Sequence, residues 1–474
     1  MRCSWFAWMP SAILATLLNA AGIRAADNPP GGDDWKYDIV YPKKGEPYHG
    51  LVLERKDGRL SMQWVVRRPG RPTIIYPINL SGDEIDRVEM LPEEEHESLR
   101  LRLKALREEQ KRLDAPLKSA GAGEKGTEDR TDKLDLRESA WVGDAGGKAL
   151  VYESSYFRLV SNAPRGIVEA AAIRLEQAYT AYAHFLPPRV RGKATTILLP
   201  QSLADYQSLV RGQGRNLLNP AFFDPERNQI VCAFDWLRMT EDLEKVARHH
   251  AKLLADLRER EAELRKAYRG AIPAELKMGI AKQRNDIEAA EKRNAQTFER
   301  ARQRLFQRLF HEAFHAYLLN FVYPPADGDL PRWLNEGLAQ IFETAIFEVG
   351  ELRIGHADEE RLRAVRRALS KNTLLPLADL LRSRPRQFLI AHDGDRQVSD
   401  RHYLTSWALA FYLTFEGKVL GTPALDQYVR DLKRGVEPVD AFTKLTGKPL
   451  PQFERDYLDY LRHLRPDGSV GKTG

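Results

Sequence analysis

The chain has 474 residues, about three times a typical single-domain length, with 43% hydrophobic and 9% aromatic residues, which excludes a wholly disordered protein. Its 73 basic and 67 acidic residues leave a formal charge of +6, with both signs interleaved along the chain instead of sorted into basic blocks, so no nucleic-acid partner is expected. Beyond the N-terminus no apolar run approaches the roughly 18 residues of a bilayer span, and a multispanning membrane protein is excluded.

Arg2, the mainly apolar residues 3–22, and the small residues Ala20, Ala21, Ala25 and Ala26 have the layout of a Sec-type signal peptide over residues 1–25. The mature chain is then exported, to a periplasmic, cell-surface or secreted location, with no integral membrane span. Processing removes Cys3 and leaves Cys232 without an internal disulfide partner. Following Ile230 and Val231, Cys232 reads as a buried strand thiol. Over 35–91, the runs Leu51-Val52-Leu53, Leu60 to Val66 and Thr73-Ile74-Ile75-Tyr76 are divided by Asp57-Gly58 and by Pro69-Gly70-Arg71-Pro72. Such punctuation predicts a small β-rich, barrel-like module. Residues 92–133 predict a helix, with Glu93, Glu94 and Glu95 in its first turn, and then a flexible linker over 115–133 that has almost nothing to bury.

A second unit spans 150–465. Strands at 156–160, 195–199 and 229–233 alternate with helices at 168–185 and 204–210, the pattern of an α+β fold. Leu243, His250, Leu257 and Leu264 then recur every seven residues, and Ile280, Ile287, Asn294 and Ala301 repeat that spacing beyond Gly270-Ala271-Ile272-Pro273. This predicts a charged helical hairpin inserted over 238–304, a short coiled coil suited to a protein partner, with His249 and His250 solvated on it. Helices are expected at 359–369, 406–415, 424–432 and 453–464, a short hairpin at 349–355, and a disordered tail at 466–474.

The second hairpin helix runs into Phe310-His311-Glu312-Ala313-Phe314-His315-Ala316. Residues four apart leave the same helix face, so the two imidazoles can grip one zinc ion, and Glu312 can reach a water beside it. The flanks Leu305, Phe306, Leu309, Phe310, Phe314 and Leu318 are apolar, and two histidines and a glutamate buried there without a partner would cost several kcal/mol, on the order of the penalty for dry polar groups. A third ligand is available downstream in Pro331-Arg332-Trp333-Leu334-Asn335-Glu336-Gly337-Leu338-Ala339. Glu336 lies on an apolar helix beside small residues; Asp327 and Asp329, in the preceding loop, are alternatives.

His311-Glu312-Ala313-Phe314-His315 followed by Trp333-Leu334-Asn335-Glu336-Gly337-Leu338-Ala339 resembles the gluzincin branch of zinc metallopeptidases. More closely, the Pro-Arg-Trp-Leu-x-Glu-Gly-Leu-Ala phrase is similar to the exported bacterial peptidase MA-like proteins. The resemblance implies a zincin-like metallopeptidase domain with a mixed sheet, an active-site helix and a helical lower lobe. It further implies one zinc per chain on His311, His315 and Glu336, Glu312 as general base, and a peptide or protein substrate. Of the two candidate oxyanion donors His402 and Tyr403, the resemblance points to Tyr403, ahead of Ser406-Trp407-Ala408; separately from it, Asn335 and Glu343 are expected to orient the histidines. Leu318 and Phe321 stand where a metzincin needs Gly and His. No Gly-x-Met-Glu-Asn stretch precedes the helix, so an endopeptidase is expected and an aminopeptidase is not. The rival reading is a non-catalytic interaction protein that binds through the β module and the hairpin.

Overall fold

The computed structural model describes residues 35–56, 58–68, 71–114, 134–143, 147–212, 221–233, 236–326, 328, 330–344, 346–348, 351–353, 357–388 and 393–471. The expected signal peptide, the 115–133 linker, Asp327 and Asp329 lie outside these residues.

The N-terminal module holds β1 (Asp38–Pro42), β2 (Tyr48–Lys56), β3 (Arg59–Val66), β4 (Ile74–Ser81) and β5 (Ile85–Glu89), in the sheet order β4-β3-β2-β1-β5. Its strand pairings among the described residues are antiparallel. Only the 3-10 turn Gly82–Glu84 separates β4 from β5, which sit at opposite edges of the sheet. Four inter-strand spacings of about 4.8 Å exceed what so short a connection can span, so the sheet must curl. It does not close: β4 and β5 are not paired among the described residues, which corrects the expected barrel-like module to an open, curled sheet.

This sheet is covered on both faces. Leu51, Val65 and Ile75 pack on Leu99, Leu103 and Leu106 of α1 (Glu93–Asp114). The alternate residues Val52, Met62, Tyr76 and Ile78 join the main core of the protein. The module is thus fused to the rest of the chain through its inner face.

The second sheet has the order β10-β11-β9-β8-β7-β6, built from β6 (Leu136–Ala140), β7 (Lys148–Glu153), β8 (Phe157–Ser161), β9 (Thr195–Leu199), β10 (Ala221–Asp224) and β11 (Gln229–Cys232). Parallel β8-β9 and β9-β11 pairs beside antiparallel β6-β7, β7-β8 and β10-β11 pairs make it a mixed sheet in an α+β fold. Period-two alternation explains the layering. Leu159, Ile197, Leu199, Ile230 and Cys232 face a core shared with α2 (Arg165–Phe185), whereas Val160, Leu198 and Val231 face Tyr206 and Leu209 of α3 (Leu203–Gly212).

Helices α4 (Trp236–Ala267) and α5 (Ala274–Tyr317) form the expected hairpin. Arg269 and Gly270, at φ 47 and 93, end the first arm, and Gly is the residue that takes this left-handed geometry without strain. Leu257 and Ile280 are buried at the heptad seam. His250 corrects an expectation: it is 9% exposed and faces Glu291 at 3.5 Å across the hairpin, while His249 is solvated. The lower lobe holds α6 (Arg332–Glu343), the β12–β13 hairpin (Ile346–Glu348 and Glu351–Arg353), α7 (Glu359–Ser370), α8 (Leu377–Leu381), α9 (Asp393–Phe415), α10 (Pro423–Lys433), α11 (Pro438–Thr446) and α12 (Leu450–His463). The tail also differs from expectation. Residues 465–471 turn back through a Leu464–Val470 bridge, and Gly471 N–H donates to His463 O at 3.0 Å. No helix among the described residues is long and apolar enough to cross a membrane.

Candidate metal centre

The last turns of α5 are clamped by packing. Leu309, Phe310, Ala313, Phe314, Ala316 and Tyr317 are fully buried. Tyr182 Oη donates to Phe310 O at 2.8 Å, and Tyr317 Oη donates to Leu186 O at 2.6 Å, so α2 fixes both the depth and the rotation of α5. That rotation leaves His311, Glu312 and His315 on the partly exposed side. The two imidazoles lie 4.8 Å apart, nearly perpendicular at 84°.

Helix α6 closes on this face. Gly337 explains its position: a Cβ there would sit 2.4 Å from Ser406 O and 2.7 Å from Ala410 Cβ, so only glycine permits the close crossing with α9. Glu336, 1% exposed, is thereby carried to the histidines. Its Oε2 is 3.4 Å from His311 Nε2, and its Oε1 is 3.6 Å from His315 Nε2. One donor atom from each of His311, His315 and Glu336 falls within 4.8 Å of the others, the cluster of possible metal donors found among the described residues. His249, His250 and His402 are not part of it.

The other ring nitrogens are committed. His311 Nδ1 pairs with Glu343 Oε2 at 3.1 Å, and Arg361 Nη2 stands 3.5 Å from the same oxygen. His315 Nδ1 pairs with Asn335 Oδ1 at 2.8 Å. With Nδ1 donating to these acceptors, each neutral imidazole would turn its Nε2 lone pair toward Glu336, as a ligand requires; protonated, His311 instead donates from Nε2 to that carboxylate. Two imidazole nitrogens and one carboxylate oxygen, converging with no other protein donor in the cluster, are a set that zinc accepts.

Electrostatics around the group are strong. Burial works against the charged form of His311, but hydrogen bonds to Glu336 and Glu343 and the nearby Glu312 outweigh it and raise its pKa. His315 is lowered to about 4 by burial, with His311 and Arg332 assisting against Glu336. Burial raises Glu336, yet His311, His315 and Arg332 more than reverse this and hold it below the ordinary carboxylate range. Glu312 is raised, mainly by burial, with His311 and a backbone donor opposing. That donor is Phe223 N–H on the edge strand β10, 2.8 Å from Glu312 Oε2.

Sequence reasoning did not single out Phe223 or Arg332. Arg332 Nη2 lies 2.6 Å from Glu336 Oε1, one turn earlier on α6, and also bonds Tyr403. Tyr403, on α9, donates to Phe388 O at 3.1 Å. Burial and then Glu336 push it up to about 12, with Arg332 and Glu312 also felt, so its hydroxyl stays protonated near these charges. His402 is buried with its ring 5.5 Å from that of Phe388. Cys232 is fully buried, and its thiol is pushed up to about 12 by burial and then by Glu312, which excludes a thiolate nucleophile.

No curated protein and no solved structure matches the chain. Residues 307–419, which run from the histidine turn of α5 through Glu336 to the end of α9, match the profile of a family described as a protein of unknown function, DUF1570.

Proposed function

We propose that the chain is an exported zinc-dependent metallopeptidase of the gluzincin type, acting within peptide chains, with one zinc on His311, His315 and Glu336. The observation that carries this reading is the convergence of those three donors while both Nδ1 atoms are already paired. When bound there, zinc acts as a Lewis acid and brings the pKa of a water to about 7. With zinc supplying that chemistry, Glu312 would be the acceptor for the proton of the water that attacks the peptide carbonyl; its carboxylate is held by Phe223 N–H. Tyr403, kept protonated beside Glu336, is the donor we assign to the developing oxyanion, for which its hydroxyl would turn from Phe388 O; Arg332, now on Glu336, is the other candidate.

One observation favours the rival reading, a non-catalytic protein that uses the hairpin and β module for binding. The Arg332 guanidinium already answers the Glu336 carboxylate at 2.6 Å, so the cluster can be neutralised without a metal. Zinc content separates the two. Purified protein lacking residues 1–25 is expected to carry about one zinc, and the Glu336→Ala variant to lose it or bind it far more weakly. Zinc retained by the variant moves the third ligand elsewhere. No zinc in either protein, even after metal is supplied, makes the interaction protein the better reading.

A further inference from the structure

Where the curled sheet meets α2, the two surfaces do not close on each other. A cavity of about 370 Å³ remains between β2–β4, the C-terminal half of α2, and the turn before β8. It shares no residue with the metal centre. Its walls are aromatic: Tyr48, Trp64, Tyr156 and His184 line it, and all four are only partly buried. Trp64 lies edge-on to Tyr48 at 5.5 Å and tilted against His184 at 6.2 Å, while Tyr156 stacks on Tyr179 at 5.5 Å. The cavity is therefore preformed.

Two features separate it from a packing fault. Glu176 lines it from the middle of α2 and is 6% exposed. Its carboxylate accepts one hydrogen bond among the described residues, from Tyr152 Oη at 2.8 Å. A carboxylate offers about four acceptor positions, so most of its capacity is unused. Arg68 and Arg71 also line the cavity, and Arg71 is steadied by donating from Nη1 to Ser155 Oγ at 3.0 Å.

These groups select among ligands by sign. An apolar molecule would leave the Glu176 carboxylate dry and under-bonded, which is costly. A simple anion would meet Glu176 and the exposed Glu46, which also lines the cavity, and a simple cation would meet both guanidinium groups. We propose that this cavity binds a small zwitterion, a free amino acid or dipeptide with an apolar or aromatic side chain. Its ammonium group bonds Glu176, its carboxylate bonds Arg68 and Arg71, and its side chain lies among the rings of Tyr48, Trp64 and Tyr156. The volume is near the lower end of ligand sites, which suits a ligand of this size.

The test is calorimetric titration of the chain lacking residues 1–25 with phenylalanine and with leucyl-phenylalanine, beside N-acetylphenylalanine and phenylalaninamide. Binding of one or both unmodified ligands, weakened about tenfold or more when either terminus is blocked, is the expected result. Glu176→Gln keeps an acceptor for Tyr152 and should weaken binding to a similar degree while zinc content is unchanged. Arg68→Ala, on the half-buried wall, supplies the same comparison if the first variant does not fold. The proposal is overturned if no ligand binds at millimolar concentration, if blocked and unblocked ligands bind alike, or if the folded variants bind as the parent does. A preference between the two unmodified ligands tells amino acid from dipeptide.

Discussion

The two halves of α5 share one backbone and almost nothing else. From Ala274 to Arg300, Ile280 and Phe298 are the buried residues among the described side chains, and the remainder is a solvated mix of charged, polar and small residues with Leu276 and Met278 exposed. From Leu305 to Tyr317, by contrast, apolar side chains are packed on every side but one, and that side presents His311, Glu312 and His315. The contrast separates what makes a helix from what makes a site. The outer arm persists through a thin heptad seam and its partner α4. The inner end is fixed by a core in which each fully buried Leu or Phe contributes about 1.5–3 kcal/mol. Donor atoms can converge only where the backbone has so little freedom.

Substitutions at the inner end should therefore cost most, and the first prediction is the sharpest. On the proposed function, Glu312→Gln is expected to lower peptide hydrolysis by about 10²–10⁴-fold while zinc stays bound, because that proposal makes Glu312 the proton acceptor and not a ligand. Parallel assay of turnover and zinc content checks this; undiminished hydrolysis in the variant would remove Glu312 from the mechanism. Next, Asn335→Ala takes away the acceptor that orients His315 and should weaken zinc about 10–100-fold in competition with a chelator. An unchanged affinity would make that hydrogen bond incidental.

Gly337→Ala then tests the packing that delivers Glu336. The new methyl group meets Ser406 O and Ala410 Cβ well inside contact distance, so α6 and α9 must separate. A loss of about 1–3 kcal/mol in denaturant unfolding is expected, together with weaker zinc binding. Stability unchanged would mean that the two helices can part freely, against the geometry described above. The smallest effect belongs to the outer arm. Glu261 reaches Arg284 across the hairpin at 3.1 Å, but both side chains are substantially solvated. Glu261→Ala should cost less than about 1 kcal/mol and leave zinc untouched. A large loss there would erase the distinction between the two halves.

The inner half was the more legible in sequence, and the reason is physical. Histidines four apart on an apolar helix conflict with their surroundings unless something binds them, and Glu336 repeats that conflict on α6. Asn335 and Glu343 could be named because their positions follow from α6 once Glu336 is placed. The Phe223 N–H on Glu312 left no trace, since a backbone donor is common to nearly every residue type. Arg332 was equally hidden, because an arginine in a first helical turn usually meets water. His250 was misjudged although it falls in the seven-residue repeat with Leu257, because its charge-bearing partner Glu291 lies on the other helix. The module's attachment did leave a signal. Consecutive apolar residues such as Leu51-Val52 and Ile74-Ile75-Tyr76 belong to strands covered on both faces, whereas a free module would alternate more strictly.

The unbroken course of α5 has a mechanical side. About 24 residues at 1.5 Å each separate Phe298, at the edge of the core, from Ala274, so the arm stands out by roughly 36 Å. It is a rod gripped at one end, and the grip is the same stretch of helix that bears the histidines. A tilt of about 5° about Phe298 moves the tip by about 3 Å and, if the helix stays straight, the turn of His311, about 20 Å inward, by about 1.7 Å. The converse also holds: a displacement imposed at the tip reaches the donor atoms reduced by the same ratio but without an intervening joint.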